Sequence, residues 1–244
     1  MNMHRFLSAA FCLGLSAQGA FGQEQVVPAY SIWDVVLGEP VAQAPDARVG
    51  VITCGTNGGP PGRELGSFTD FMTCAPEESG LREVQFSYDD EQDYVARALE
   101  LEYKALQGGT SVYAHPVIVS VLVDPDGIVQ GRRIVTDDRT EDMVRRTAFT
   151  LIRNFKGRFG EWSLECADVP MRDGEQPVGN QFIHELCTAR SPDGNTRILL
   201  EATYLRKRGQ QARNLETQEI NTGYFESQTR FEEVLSPYVP APAP

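Results

Sequence analysis

Apolar residues along this chain recur in two rhythms, and each rhythm marks a different kind of element. Leu81-Arg82-Glu83-Val84-Gln85-Phe86-Ser87-Tyr88 alternates apolar and polar side chains, the period of a half-buried strand, with a slip at Arg82–Glu83 that suggests a bulge. Tyr113–Val123 is almost continuous Val, Ile and Leu, which predicts a strand covered on both faces in the middle of a sheet. Asp124-Pro125-Asp126-Gly127 and the run Ile128–Val135 follow it, so the stretch reads as a hairpin. A second Pro-Asp-Gly turn, within Ser191–Asn195, separates the β-favouring runs Gln181–Ala189 and Arg197–Arg206 and predicts another. Val49–Cys54 and Glu161–Cys166 read as brief strands.

Helical spacing appears in three places. Asp89–Leu106 has acids in its first turn, an inward face of Tyr94, Val95, Ala98, Leu99 and Leu106, and Gly108-Gly109 as a stop, which predicts a helix over 90–106. Thr140–Phe155 offers Thr140 as a cap and the stripe Met143, Val144, Phe149, Leu151, Ile152 and Phe155, which predicts a second over 140–155. Leu65, Phe68, Phe71 and Met72 suggest a shorter amphipathic helix within Glu64–Thr73. Ser31–Leu37 reads as a short element with Trp33 turned inward, and Thr229–Leu235 as a last short helix or strand after the polar stretch Gln210–Gln228. Strands in runs with helices between them predict an α+β fold: antiparallel sheet or sheets, two main helices packed on sheet faces, and two local loops stapled by disulfides.

The ends differ from the middle. His4 and Arg5, the apolar run Phe6–Leu15 and the small residues Ala17, Gly19, Ala20 and Gly22 form the pattern of a secretory signal peptide, too short in its apolar core to span a bilayer. The expected division is a leader over 1–22, one α+β domain over 23–235 that would part near 157–161 if it has two lobes, and a flexible Pro/Ala-rich tail over 236–244. No later stretch is long and apolar enough for a membrane span.

Export changes how the cysteines read. Cys12 lies inside the leader, which leaves Cys54, Cys74, Cys166 and Cys187, and in an oxidising compartment an even number favours disulfides. Local pairing gives Cys54 with Cys74 and Cys166 with Cys187, each closing a loop of about 20 residues worth roughly 3 kcal/mol in the chain-entropy account. A Cys₄ zinc site is the competing arrangement, but its ligands come as close C-x₂₋₄-C pairs, which this chain lacks. The two staples also hint at an internal duplication; the residues between them match poorly, and two independent staples is the preferred reading.

The formal charge of −12 becomes about −13 once Arg5 leaves with the leader, a surface that repels nucleic acid and anionic lipid. Two local exceptions stand out: Arg145, Arg146, Arg153, Lys156 and Arg158 around the second helix, and Arg206-Lys207-Arg208 at the end of the last hairpin. Gly55–Gly62 is the most loop-like octad. A glycine-rich turn after a strand can cradle phosphate, but two prolines remove amides here, no Lys follows, and an exposed loop on the first staple is the better reading. Asp124 and Asp126 lack the further acids of a calcium loop.

Chemistry is sparse. Mature His115 and His184 are not in H-E-x-x-H, neither G-x-S-x-G nor S-x-x-K occurs, and oxidised cysteines offer no thiolate. No catalytic residue, cofactor or metal is assigned. The expectation is a periplasmic or extracellular, non-catalytic protein that binds or supports another cell-envelope component through a protein contact at Asn57, Arg63, Arg206, Lys207 and Arg208, with no nucleic-acid partner. Two alternatives stand beside it: a secreted hydrolase using paired carboxylates on cell-wall or sugar substrates, and a solute-binding module, which needs an apolar or aromatic-lined pocket.

Overall fold

In the computed structural model, which describes residues 29–88, 110–140, 142–210, 212–213, 220–221, 223–240 and 242, the alternating stretches pair into one large antiparallel sheet. Its first half comes from β1 (Ile52–Cys54), β2 (Glu64–Leu65), β3 (Arg82–Phe86), β4 (Ser111–Val112), β5 (His115–Val123) and β6 (Val129–Thr136). Its second half comes from β7 (Glu165–Asp168), β8 (Glu175–Gln176), β9 (Ile183–Arg190), β10 (Thr196–Lys207) and β13 (Glu226–Leu235), while β11 (Ala212–Arg213) and β12 (Ile220–Asn221) pair only with each other. The order across the sheet is β2-β1-β3-β5-β6-β13-β10-β9-β7, so each half of the chain meanders inward from its own edge and the two meet where β6 lies against β13.

Both Pro-Asp-Gly hairpins form where the sequence places them, β5–β6 and β9–β10. Asp124 closes the first turn by accepting from the amides of Asp126 and Ile128, each at 2.9 Å, which leaves that carboxylate a turn-forming role. β5 is central, as its nearly continuous aliphatic run requires, with β3 on one side and β6 on the other. Pairing between β5 and β6 slips at Leu122/Val123, so the bulge lies there, while β3 pairs continuously through Arg82–Glu83.

Helices are a minor part of the described structure. The predicted helix over 90–106 and the leader over 1–22 lie outside the described residues. The predicted helix over 140–155 is broken into α1 (Asp142–Arg145), a 3₁₀ turn (Ala148–Leu151) and α2 (Ile152–Arg158). Val144 and Phe149 are five positions apart, a step that one continuous α-helical phase cannot keep on a single face. The break is held by the sheet: the Thr229 hydroxyl donates to the Ala148 carbonyl at 2.8 Å, and Met143 is left 81% exposed. Glu64–Thr73 likewise divides into β2 and a 3₁₀ helix over Phe68–Thr73, whose three-residue turn suits the spacing of Leu65, Phe68 and Phe71. Ser67 and Asp70 cap it reciprocally. Among the described residues no helix is long and apolar enough to cross a membrane.

The two sheet faces differ in kind. On the face under α2, Ile134 of β6 and Phe231 of β13 pair across strands, and Phe231 stacks on Phe155 and Phe159 with ring centroids 4.9 and 5.2 Å away. Trp33 packs inward against Phe155 and Phe231, and the Arg158 guanidinium lies 3.9 Å from its ring centroid. The opposite face is buried too, but polar. Register sets Thr53, Gln85, Ser120, Arg133 and Glu232 in one row across β1, β3, β5, β6 and β13, all buried.

Both disulfides pair as the local reading predicts, Cys54 with Cys74 and Cys166 with Cys187. The first joins β1 to the end of the 3₁₀ helix, where Arg82 also donates to the Cys74 carbonyl. The second links directly opposed residues of β7 and β9. Two such bonds fit an oxidising, non-cytoplasmic compartment.

Candidate functional site

The glycine-rich octad leaves β1 at Cys54 and returns beside it: the Gly62 amide donates to the Cys54 carbonyl at 2.9 Å, and the Cys54 amide to the Arg63 carbonyl at 2.8 Å. Its tip is left-handed, with φ of 62° at Asn57 and 77° at Gly58, so successive amides converge on one point as they do in an anion-binding nest. The anion there belongs to the protein. Glu83 of β3, buried on the polar face, accepts from the amides of both Asn57 and Gly58, the latter at 3.1 Å. A side chain at Gly58 would strike Val135 and stand 3.3 Å from an Arg230 nitrogen, so only glycine lets the backbone come this close.

Behind the loop lies a network of buried ions. Arg133 stands 3.0 Å from the Glu83 carboxylate, donates to Glu232 at 2.8 Å, and grips Glu77 with two nitrogens at 2.7 and 3.1 Å. Arg230 donates to Glu232 at 2.8 Å and to the backbone carbonyl and side-chain oxygen of Asn57 at 3.1 and 2.7 Å. Both arginines are only 1% exposed. Burial pulls the Arg133 pKa down, but the Glu77 hydrogen bond and the Glu83 and Glu232 charges outweigh it and the net direction is up. For Arg230, burial and the nearby Arg133 charge prevail and the direction is down. Both stay charged, as arginine does in proteins. Asn57 is thus gripped from two sides, through its amide by Glu83 and through its oxygens by Arg230.

This arrangement divides the expected contact residues. The outer rim of the loop, Thr56, Pro60, Pro61 and Arg63, is exposed, whereas Asn57 is half-buried and occupied within the fold. Arg206, Lys207 and Arg208 lie elsewhere. Arg230, the partner of Asn57, stands opposite Glu201, and Arg206 is five residues further along β10, about 17 Å at strand rise. Arg206 donates to the Gly223 carbonyl at 3.0 Å and Lys207 pairs with Glu226 at 3.0 Å, so two of the three cations are engaged; Arg208 is exposed. The five residues therefore form two places, not one cluster.

The basic group around the second helix is also largely engaged. Arg145 and Arg146 pair with Asp142, Lys156 with Glu185, and Arg158 covers Trp33. Burial, helped by the Arg153 charge, holds the His115 pKa below its ordinary value. His184 is buried, with Nε2 2.9 Å from the Glu201 carboxylate.

Sequence reasoning missed Glu83, Arg133, Arg230 and Glu232, because charged residues in a strand ordinarily mark its solvent side. The readable signal was the pair of doublets, Arg132-Arg133 and Glu232-Glu233, which can face each other only if their strands are neighbours. No protein-family model, characterised protein or solved structure matches this chain.

Proposed function

We propose that this is an exported, non-catalytic binding protein that holds or supports another cell-envelope component, and that the rim of the stapled loop, residues 56–63, is its principal contact. The observation that carries the reading is the attachment of that loop: its tip is clasped from inside by Glu83 and Arg230, its base is closed on Cys54, and its outer residues remain exposed. A loop already fixed in one conformation loses little conformational entropy when a partner docks, which favours a contact role. With its amides turned inward onto Glu83, the loop is poorly suited to cradling a phosphate. Arg63 on this rim is an exposed cation on an acidic protein, which points to an acidic or polar segment of the partner.

The test is affinity capture of the mature protein from its native envelope, with mass spectrometry of what co-elutes. The expected result is one envelope component retained by the wild type, lost on Arg63→Glu, and kept when Arg206, Lys207 and Arg208 are changed together to Ala. Capture indifferent to the loop substitution but abolished by the triple one would move the contact to the end of β10. Recovery of no envelope component would overturn the reading.

A further inference from the structure

Across the turn of the β9–β10 hairpin, Arg190 and Arg197 stand directly opposite each other. Like charges so placed repel, and pairs of this kind are ordinarily relieved by a nearby acid. Here neither guanidinium makes an ion pair or hydrogen bond among the described residues, and the Nε of Arg197 is buried without a partner. The turn's own acid, Asp193, is taken up by Ser191 and Asn195.

Both arginines line a cleft of about 430 Å³, within the size range of small-molecule sites. Its other walls include apolar groups: Leu199, which shares the arginines' face of the sheet, Trp162, and Val239 with Pro240 from the tail. Ser163 and Thr188 add hydroxyls, and Ser163 is held in the left-handed region at φ 54°. Glu165, also on the lining, is exposed and lies beyond ion-pair distance of either arginine.

From the opposed arginines, the orphaned guanidinium nitrogen and the apolar walls together, we infer that this cleft binds a small organic carboxylate carried on an apolar or aromatic body. The carboxylate bridges Arg190 and Arg197 and relieves their repulsion, while the body lies against Trp162 and Leu199. A fully hydrated inorganic anion would use the two cations and leave the apolar walls idle. The site lies near the β7 edge, apart from the stapled loop, and the inference is independent of the partner contact proposed above.

Phenylacetate is a direct probe, with its uncharged amide, phenylacetamide, and inorganic phosphate as comparisons. Titration of the purified mature protein, followed by calorimetry and by the indole N–H resonance of Trp162, is expected to show saturable phenylacetate binding at least tenfold tighter than that of either comparison. Arg190→Gln with Arg197→Gln is expected to weaken phenylacetate at least tenfold while the Tm holds or rises, since the opposed charges are gone. Should that variant fail to fold, exposed Arg190→Gln alone must still weaken binding severalfold. Absence of saturable binding, equal binding of the amide, tighter binding of phosphate, or undiminished binding by the variants would each overturn the assignment.

Discussion

Arg133 and Glu232 face each other across the line where the two halves of the sheet meet, with Nε 2.8 Å from the carboxylate and both side chains buried. Arg132 and Glu233, the next pair along, meet at 2.6 Å on the opposite face. The β6–β13 seam is thus tied by one ion pair on each face, and a one-residue slip would leave only one Arg opposite a Glu instead of two. The same network reaches through Glu83 to the glycine-rich loop, so the central pairing of the sheet and the shape of that loop depend on one another.

Removing Glu83 tests this dependence. Glu83→Ala leaves Arg133 short of one buried carboxylate and is expected to cost about 3–5 kcal/mol, the scale for breaking a buried ion pair from one side. Urea unfolding measures the loss. Amide hydrogen exchange at Asn57 and Gly58 should quicken at the same time. Glu77→Ala, at the partly exposed rim of the network, should cost clearly less. Equal losses from the two substitutions, or an unchanged exchange rate at Asn57 and Gly58, would contradict the clasp.

Two glycines separate close approach from mere propensity. At Gly58 the backbone is left-handed and a methyl group would press on Val135, so Gly58→Ala is expected to destabilise by more than about 1 kcal/mol. Gly157, inside α2, has open space where a methyl would go, and Gly157→Ala should stabilise by about 0.5–1 kcal/mol. Thermal unfolding of both variants checks the opposite signs.

What the sequence revealed and what it hid follow from the range of each signal. Turn chemistry at Asp124–Gly127 and Ser191–Asn195, and the short spacing of the cysteines, are local, and both hairpins and both disulfides formed as read. The strand β13 was legible only as a short stretch from Thr229 that could be helix or strand, because along Ser227–Val234 only Phe231 and Val234 are apolar, although it runs to the middle of the sheet. Its place depends on a partner strand about a hundred residues away, and charge complementarity over that distance has no period to detect. The loop showed the same limit: Gly55–Gly62 announced an exposed loop, but nothing local announced that Glu83 would fill its tip.

Acid should weaken the fold through His115. Burial, with the charge of Arg153, keeps this imidazole below 6.5, so below that pH the unfolded chain binds the proton while the folded chain still excludes it. Stability therefore falls as pH drops below 6.5 and levels off once the folded form is protonated as well. Asp138 acts in the other direction at lower pH. Its carboxyl is raised above 3.8 by burial and then by Asp137, so the folded form takes up that proton first and gains stability as pH falls toward 3.8. Urea midpoints measured against pH should lose the slope below 6.5 in His115→Asn; an unaltered slope would assign it to another group.

Site-specific photo-crosslinking in the native envelope addresses the contact most directly. A photoreactive residue at position 61, on the exposed rim of the loop, is predicted to capture a single envelope component, and the same residue at 194, in the exposed β9–β10 turn, to capture none. Equal capture from both positions, or capture from 194 alone, would contradict the assignment of the stapled loop as the binding surface.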